Sequence, residues 1–240
     1  MKIDLCKYTD IGTRRENEDS LSGCKLTDSR GFAVVADGLG SHGGGADASK
    51  IAVEALSRFR IEDKLPTQEQ IMAWMEDANA EILRKRDGPW HMKTTAVALY
   101  FDGNRAIWAH TGDSRLYHFY NGEVADLTLD QSVCQLHVLQ GEITRQQIPM
   151  HPDRSKVLYV LGEETIKPKI HEPVKLQRGR HAFLLCTDGL WERLCEEEIM
   201  MDLHWADSAV QWLSSLRTRA NLRKYDDVDN NTAVAVIIEV

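Results

Sequence analysis

Six acidic residues fall where apolar segments stop: Glu18 and Asp19, Asp37 before Gly38, Asp113, Asp188 before Gly189, and Asp229. Each alone is ordinary, because Asp-Gly is a common turn dipeptide and a strand-end turn is its simplest explanation. Their settings say more. Asp37 and Asp188 both follow apolar, strand-like runs that carry the carboxylate to a sheet edge, where the adjacent glycine lets an ion or its water approach the backbone closely. Carboxylates brought together repel one another unless hard cations sit between them. All-oxygen ligation favours Mg²⁺ or Mn²⁺ over zinc. Two such ions roughly 4 Å apart could bind a water, lower its pKa to give a nucleophile, and neutralise a phosphoryl group.

Other reactive residue types surround this set. Arg14 and Arg15 precede Glu18-Asp19 by a few positions, and an arginine fork there could grip a phosphate bidentately, with a solvated surface charge as the bland alternative. His42, in the glycine-rich stretch after Asp37, is a candidate general acid, although a lone loop histidine is more often structural. The same stretch formally matches a dinucleotide fingerprint at Gly38, Gly40 and Gly43. Asp37 directly before the first glycine would repel a pyrophosphate, and later hairpins deny the parallel context that fingerprint needs. It lacks the Gly-Lys-Ser/Thr ending of a P-loop.

The composition limits the classes further. With 240 residues, 42% of them hydrophobic, the chain can bury one substantial core, and no linker-like stretch divides it, so one domain spanning 1–240 is expected. A net charge of −8 without a Lys/Arg tract argues against nucleic acid or an anionic membrane as partner. That charge would repel phosphate too unless bound cations reversed the local field. The five cysteines are scattered and odd in number, which suggests neither a disulfide framework nor a zinc site. No run is long and apolar enough for a bilayer or a signal peptide, and a cytoplasmic monomer is the default expectation.

The elements that must position the acids can be read from periodicity. Gly31–Ala36 reads as a buried strand running into the turn at Asp37-Gly38. Ala48, Ile51, Ala52, Ala55, Leu56 and Phe59 recur at helical spacing, and Thr67 with Gln70 forms a capping-box pattern ahead of a second apolar stripe through Ile71, Met75, Ala78 and Ile82. Strand patterns follow at 94–101, 105–110 and 115–120, with turn signals at 102–104 and Asn121-Gly122. Such short connections make the strands antiparallel. After a helical or irregular stretch over 130–162, a buried strand over 181–187 leads to Asp188-Gly189, a helix follows over 207–223, and a strand over 232–240 closes the chain. Helix pairs set apart from hairpin strands indicate an α+β layered fold.

In order along the chain these segments resemble the PPM-type, or protein phosphatase 2C-like, metal-dependent Ser/Thr protein phosphatases, in particular the compact bacterial members. The resemblance rests on Arg14-Arg15-Glu16-Asn17-Glu18-Asp19, Asp37-Gly38-Leu39-Gly40-Ser41-His42, Thr94-Thr95, Gly112-Asp113-Ser114-Arg115, Asp130-Gln131-Ser132, Cys186-Thr187-Asp188-Gly189 and Asp229-Asn230-Asn231-Thr232. It also covers Gly141 to Gly162, which looks like the family's flap. One such motif is weak evidence, whereas the ordered set is specific.

The resemblance implies a central β-sandwich of two antiparallel sheets flanked by pairs of antiparallel helices, in four αββα layers. It implies that Asp37, Asp188 and Asp229 hold one Mn²⁺ or Mg²⁺ and that Glu18, Asp37 and the Gly38 carbonyl serve a second. Asp113 with Asp188 would bind a weaker third ion, Arg14 would hold the substrate phosphate, and Asp19 would order a metal-bound water. Phosphorylated proteins would be the substrates, in partnership with a cognate Ser/Thr kinase. The chain departs from the family pattern at Ala46, where many members carry Glu, at Ser41 in place of Gly, and at Gln131 in place of His. Leu39 stands where animal members carry a histidine proposed as the acid, which leaves His42 or metal-bound water as proton donor. A catalytically silent phosphoprotein-binding module is the alternative, and the intact acidic set argues against it.

Overall fold

The computed structural model describes residues 1–40, 44–60, 62–86, 92–223 and 227–240. Along the chain these form β1 (Lys2–Asp10), β2 (Ser20–Thr27), β3 (Arg30–Ala36), β4 (Gly38–Leu39), α1 (Gly44–Leu56), α2 (Gln68–Lys85), β5 (Lys93–Thr94), β6 (Ala96–Asp102), β7 (Arg105–Thr111), β8 (Arg115–Tyr120) and β9 (Glu123–Leu127). There follow α3 (Val133–Leu139), a 3₁₀ turn (Arg145–Met150), β10 (Lys169–Ile170), β11 (Val174–Lys175), β12 (Arg180–Cys186), α4 (Asp188–Trp191), α5 (Glu196–Trp205), α6 (Ala209–Leu222) and β13 (Asn231–Glu239).

Two antiparallel sheets carry the architecture. One has the order β1-β13-β12-β8-β9, the other β10-β7-β6-β3-β2 with β11 also paired to β7. Alternation along the strands shows how they stack. Ala33, Val35, Val97, Leu99, Val234 and Val236 pack between the sheets. Their neighbours Val34, Ala98 and Tyr100 pack outward against α1 and α2, while Ala233, Ala235 and Leu184 pack outward against α5 and α6. The result is the four-layer αββα arrangement. Because both faces of the central strands are buried, they read as continuous apolar runs without polar alternation.

Local signals account for several boundaries. Thr67 accepts from the Gln70 backbone while Gln70 reaches back to the Thr67 N–H, a complete capping box at the start of α2. Asn121 and Gly122 both take positive φ, 50° and 90°, as a type I′ hairpin between β8 and β9 requires. The first helix starts four residues earlier than its apolar stripe suggested and ends at Leu56, although Phe59 beyond it is fully buried.

Other elements differ from the sequence reading. The strand expected over 94–101 is broken at Thr95, because residues 93–94 pair with β4 and the Thr95 N–H and hydroxyl are used to grip Asp37. β1 and β2 are edge strands with mixed polar burial, and their pattern lacks the apolar run of a central strand. α5, the partner of α6, opens on three consecutive glutamates. None of these three was legible. No helix among the described residues is long and apolar enough to cross a membrane.

Candidate metal centre

Register brings the acids to one end of the sandwich. Ser20 pairs with Ala36, Ala96 with Thr111, and Cys186 with both Arg115 and Ala233. The starts of β2, β8 and β13 therefore meet the ends of β3, β7 and β12 at the same edge. Arg14, Glu18, Asp37, Asp113, Asp188 and Asp229 line a single cleft of about 650 Å³ there, together with Gly38 and Arg15. The structure thus brings together every described residue that the sequence singled out, except that Asp19 sits behind the cleft, buried. His42 lies outside the described residues.

Backbone, hydroxyl, indole and amide groups hold four of the acids. The Asp37 N–H donates to Thr95 Oγ1 at 3.0 Å, while its carbonyl accepts from the Thr95 N–H and the Thr94 hydroxyl at 2.9 and 2.8 Å. Trp191 Nε1 donates to the Asp113 carbonyl at 3.0 Å. Thr187, which caps α4 just before Asp188, donates its hydroxyl to Asp19 Oδ2 at 3.0 Å. Asn230 is a clamp between the chain's two ends: its Oδ1 accepts the Glu18 N–H at 2.8 Å and its Nδ2 donates to the Ile11 and Glu16 carbonyls at 2.8 and 3.1 Å.

The glycines of the two Asp-Gly pairs also allow a close approach within the chain itself. A Cβ on Gly38 would lie 2.3 Å from the Gly45 carbonyl oxygen, and one on Gly189 would lie 1.9 Å from that of Asn230. On the side where a Cβ would stand, the protein's own backbone lies against each glycine. Gly189 lets the first turn of α4 press on the segment entering β13, which sets Asp188 beside Asp229.

The electrostatics follow from this crowding. Burial raises the Asp37 carboxyl well above the usual range, and Asp188, Asp19, Asp113 and Asp229 push it further. Asp113 is raised by burial and then by Asp188 and Asp130; Asp188 is raised by burial and by Asp229, with a hydrogen bond from Asp37 acting the other way. Glu18 is raised by burial and by Glu16. Glu18, Asp37, Asp113 and Asp188 resist ionisation first because they are buried and then because other carboxylates are near.

This environment fits hard divalent cations. The donors are all oxygens, their mutual repulsion is the kind a cation relieves, and Glu18 Oε1 and Asp19 Oδ1 are buried with no hydrogen-bond partner among the described residues. Among the described residues no three His, Cys, Asp or Glu side chains form a cage that could by itself hold an ion. The array is open, and Asp229 is turned onto Arg14, whose Nη2 lies 2.8 Å from Asp229 Oδ2.

Several supporting residues carried no role in the sequence reading. Arg115 is buried, grips Asp130 through two bonds of 2.8 and 2.7 Å, and stacks 3.5 Å over the Trp191 ring, which bonds Asp113. Glu192, paired with Arg154 near the cleft, is raised to about 7 by burial and by Asp188. Their signal was position: each lies inside or next to a motif whose acidic member drew attention first.

Comparison with known proteins gives the family and the fold. Residues 9–225 match the family described as protein phosphatase 2C, and the chain belongs to that family. It is 31% identical to the serine/threonine phosphatase stp of Listeria monocytogenes over 95% of this chain and 93% of that protein. It is also 31% identical to the serine/threonine protein phosphatase PstP of Mycobacterium tuberculosis over 78% of this chain, a match that spans only 36% of PstP. The fold superposes with a TM-score of 0.79 on the catalytic domain of PstP solved with two manganese ions, at 25% identity and covering 98% of this chain and 97% of that one.

Proposed function

We propose that this chain is a protein serine/threonine phosphatase, acting as one catalytic unit on phosphoserine and phosphothreonine in proteins phosphorylated by a cognate kinase. The observation that carries this reading is the meeting of Glu18, Asp37, Asp113, Asp188 and Asp229 in one cleft beside Arg14. Asp37, Asp188 and Asp229 would hold one ion, Glu18, Asp37 and the Gly38 carbonyl a second, and Asp113 with Asp188 a weaker third. Bound there, Mn²⁺ or Mg²⁺ would supply a water of lowered pKa and charge to offset the phosphoryl group.

The protein's own residues do the rest. Arg14 presents a planar guanidinium on the cleft wall, suited to two phosphate oxygens. Asp19, fixed through Thr187, leaves Oδ1 buried and without a partner among the described residues, and would order a metal-bound water. The Asn230 clamp and the Gly189 contact keep the chain's two ends in register, so that Glu18 and Asp229 reach the cleft together. The test is release of phosphate from phosphoserine and phosphothreonine peptides. Turnover should require Mn²⁺ or Mg²⁺ and be lost in Asp37→Ala and Asp188→Ala; turnover in excess chelator would contradict the reading.

A further inference from the structure

A second cavity, of about 550 Å³, lies behind the segment that walls the catalytic cleft. Val157 lines the catalytic cleft, whereas Leu158 and Tyr159 line this second one. Five leucines border it; Leu127 is half-buried, and the other four are solvent-exposed: Leu129 (46%), Leu136 (47%), Leu139 (67%) and Leu158 (41%). Single exposed leucines need no explanation, but four converging on one concavity do.

Its inner wall is polar. His110, only 2% exposed, lines the cavity, and its Nε2 lies 2.9 Å from the Leu129 carbonyl oxygen. A carbonyl only accepts, so Nε2 carries the hydrogen, and in the neutral ring Nδ1 is left as an acceptor. That Nδ1 is buried with no partner among the described residues, and so is Nε2 of His171, whose ring centroid is 6.0 Å away. Burial holds His110 neutral by lowering its pKa to about 4. Among the charged residues of the lining, Asp130 acts to raise that pKa and Lys169 to lower it, both less than burial does. Asp130 is bound by Arg115 through two bonds, Asp126 is half-buried with Oδ2 3.7 Å from His171 Nδ1, and Lys169 is exposed.

A buried acceptor without a partner costs on the order of 1–3 kcal/mol, and a partner that supplies a hydrogen recovers that cost. We propose that this cavity is a ligand site for an uncharged small molecule with an apolar ring and an N–H or O–H donor, the ring lying among the leucines and the donor reaching His110 Nδ1. The volume is within the range of small-molecule pockets, and the lining has the pattern of an apolar bowl with a few convergent polar atoms. The site is distinct from the acidic cleft, and its test does not depend on phosphatase activity.

The experiment is an NMR titration of the full chain carrying ¹⁵N-labelled histidine, with indole as probe and 1-methylindole as its counterpart lacking the donor. Indole should move the ring-nitrogen resonances of His110 and His171 and saturate, while 1-methylindole should bind at least about fivefold more weakly. Leu139→Lys, a change at an exposed position that leaves the buried rings untouched, should weaken indole about fivefold as well. Equal binding of the two probes, ring resonances unmoved by both, or a tightly held water at His110 that indole does not displace would each overturn the proposal.

Discussion

The Arg14 guanidinium donates to Asp229 Oδ2 at 2.8 Å, so the cation assigned to the substrate phosphate is paired with a carboxylate assigned to the metal. Both side chains are nearly half exposed, at 45% and 44%, and the pair itself adds little stability. Its meaning is competition. Whatever draws Asp229 to an ion releases Arg14 toward phosphate. Arg14→Ala should therefore lower kcat/KM for a phosphopeptide about 10- to 100-fold, the loss of one charged bidentate contact, while leaving Mn²⁺ affinity unchanged or slightly higher. Steady-state kinetics with a Mn²⁺ titration checks both halves, and a fall in Mn²⁺ affinity would show that Arg14 supports the metal site instead.

Removing one of the crowded acids should separate activity from stability. Asp37 is raised by burial and by four neighbouring aspartates, so in excess chelator Asp37→Asn should unfold at a higher temperature than the parent. The sign of the change is the prediction, because the substitution removes a buried carboxyl that four neighbouring aspartates oppose. Added Mn²⁺ should raise the melting temperature of the parent and not that of the variant. A variant less stable than its parent in chelator would mean that Asp37 is held by bonds its repulsions do not outweigh.

Acid stability offers a check away from the cleft. His118 is buried against Phe183 and Trp108, donates to His181 Nδ1 at 3.0 Å, and has its pKa lowered to about 4 by burial. The unfolded chain takes up that proton near pH 6.5 and the folded one only near pH 4, so stability is lost as pH falls through this window, by about 1.4 kcal/mol per pH unit for each such histidine. The raised carboxylates contribute with the opposite sign, which makes the difference from His118→Phe the useful quantity. Urea unfolding from pH 6.5 down to 4.5 should show the variant's slope shallower by close to one proton, and parallel slopes would count against a neutral buried His118.

Gly189 and Gly103 form a matched pair. Ala at 189 would set its Cβ 1.9 Å from the Asn230 carbonyl oxygen, whereas at 103 it meets nothing within 4 Å and pays only for a positive φ of 57°. Gly103→Ala should cost about 1 kcal/mol and keep full activity. Gly189→Ala should cost at least about 2 kcal/mol and lose most Mn²⁺-dependent turnover, because Asp188 and Asp229 are pushed apart. Comparable effects at both positions would remove the close-approach explanation.

Much of this was legible where a local signal had a single structural meaning. The Thr67 and Gln70 capping box and the Asn121-Gly122 hairpin both stand where the residues put them. So do the apolar strands leading into Asp37 and Asp188. Edge strands β1 and β2 were illegible because all but one residue of each face at least partly toward water, and no polar period distinguishes such a segment from a loop. At the site, the acids were found because they stand where apolar runs stop and because the ordered motifs resemble those of a known family. Their supports were not: Asn230 bonding three separate backbone groups, or Asn230 carbonyl over Gly189, is a relation between positions far apart in sequence, with no trace at either one alone.

The central claim is that carboxylates from both sheets converge to hold two divalent cations, with Asp37 common to both. Mn²⁺ binding by equilibrium dialysis or by electron paramagnetic resonance of the free ion tests it directly. The parent chain should bind two ions tightly, and Asp37→Asn should bind neither with comparable affinity. Two ions bound by the variant as tightly as by the parent would contradict the account.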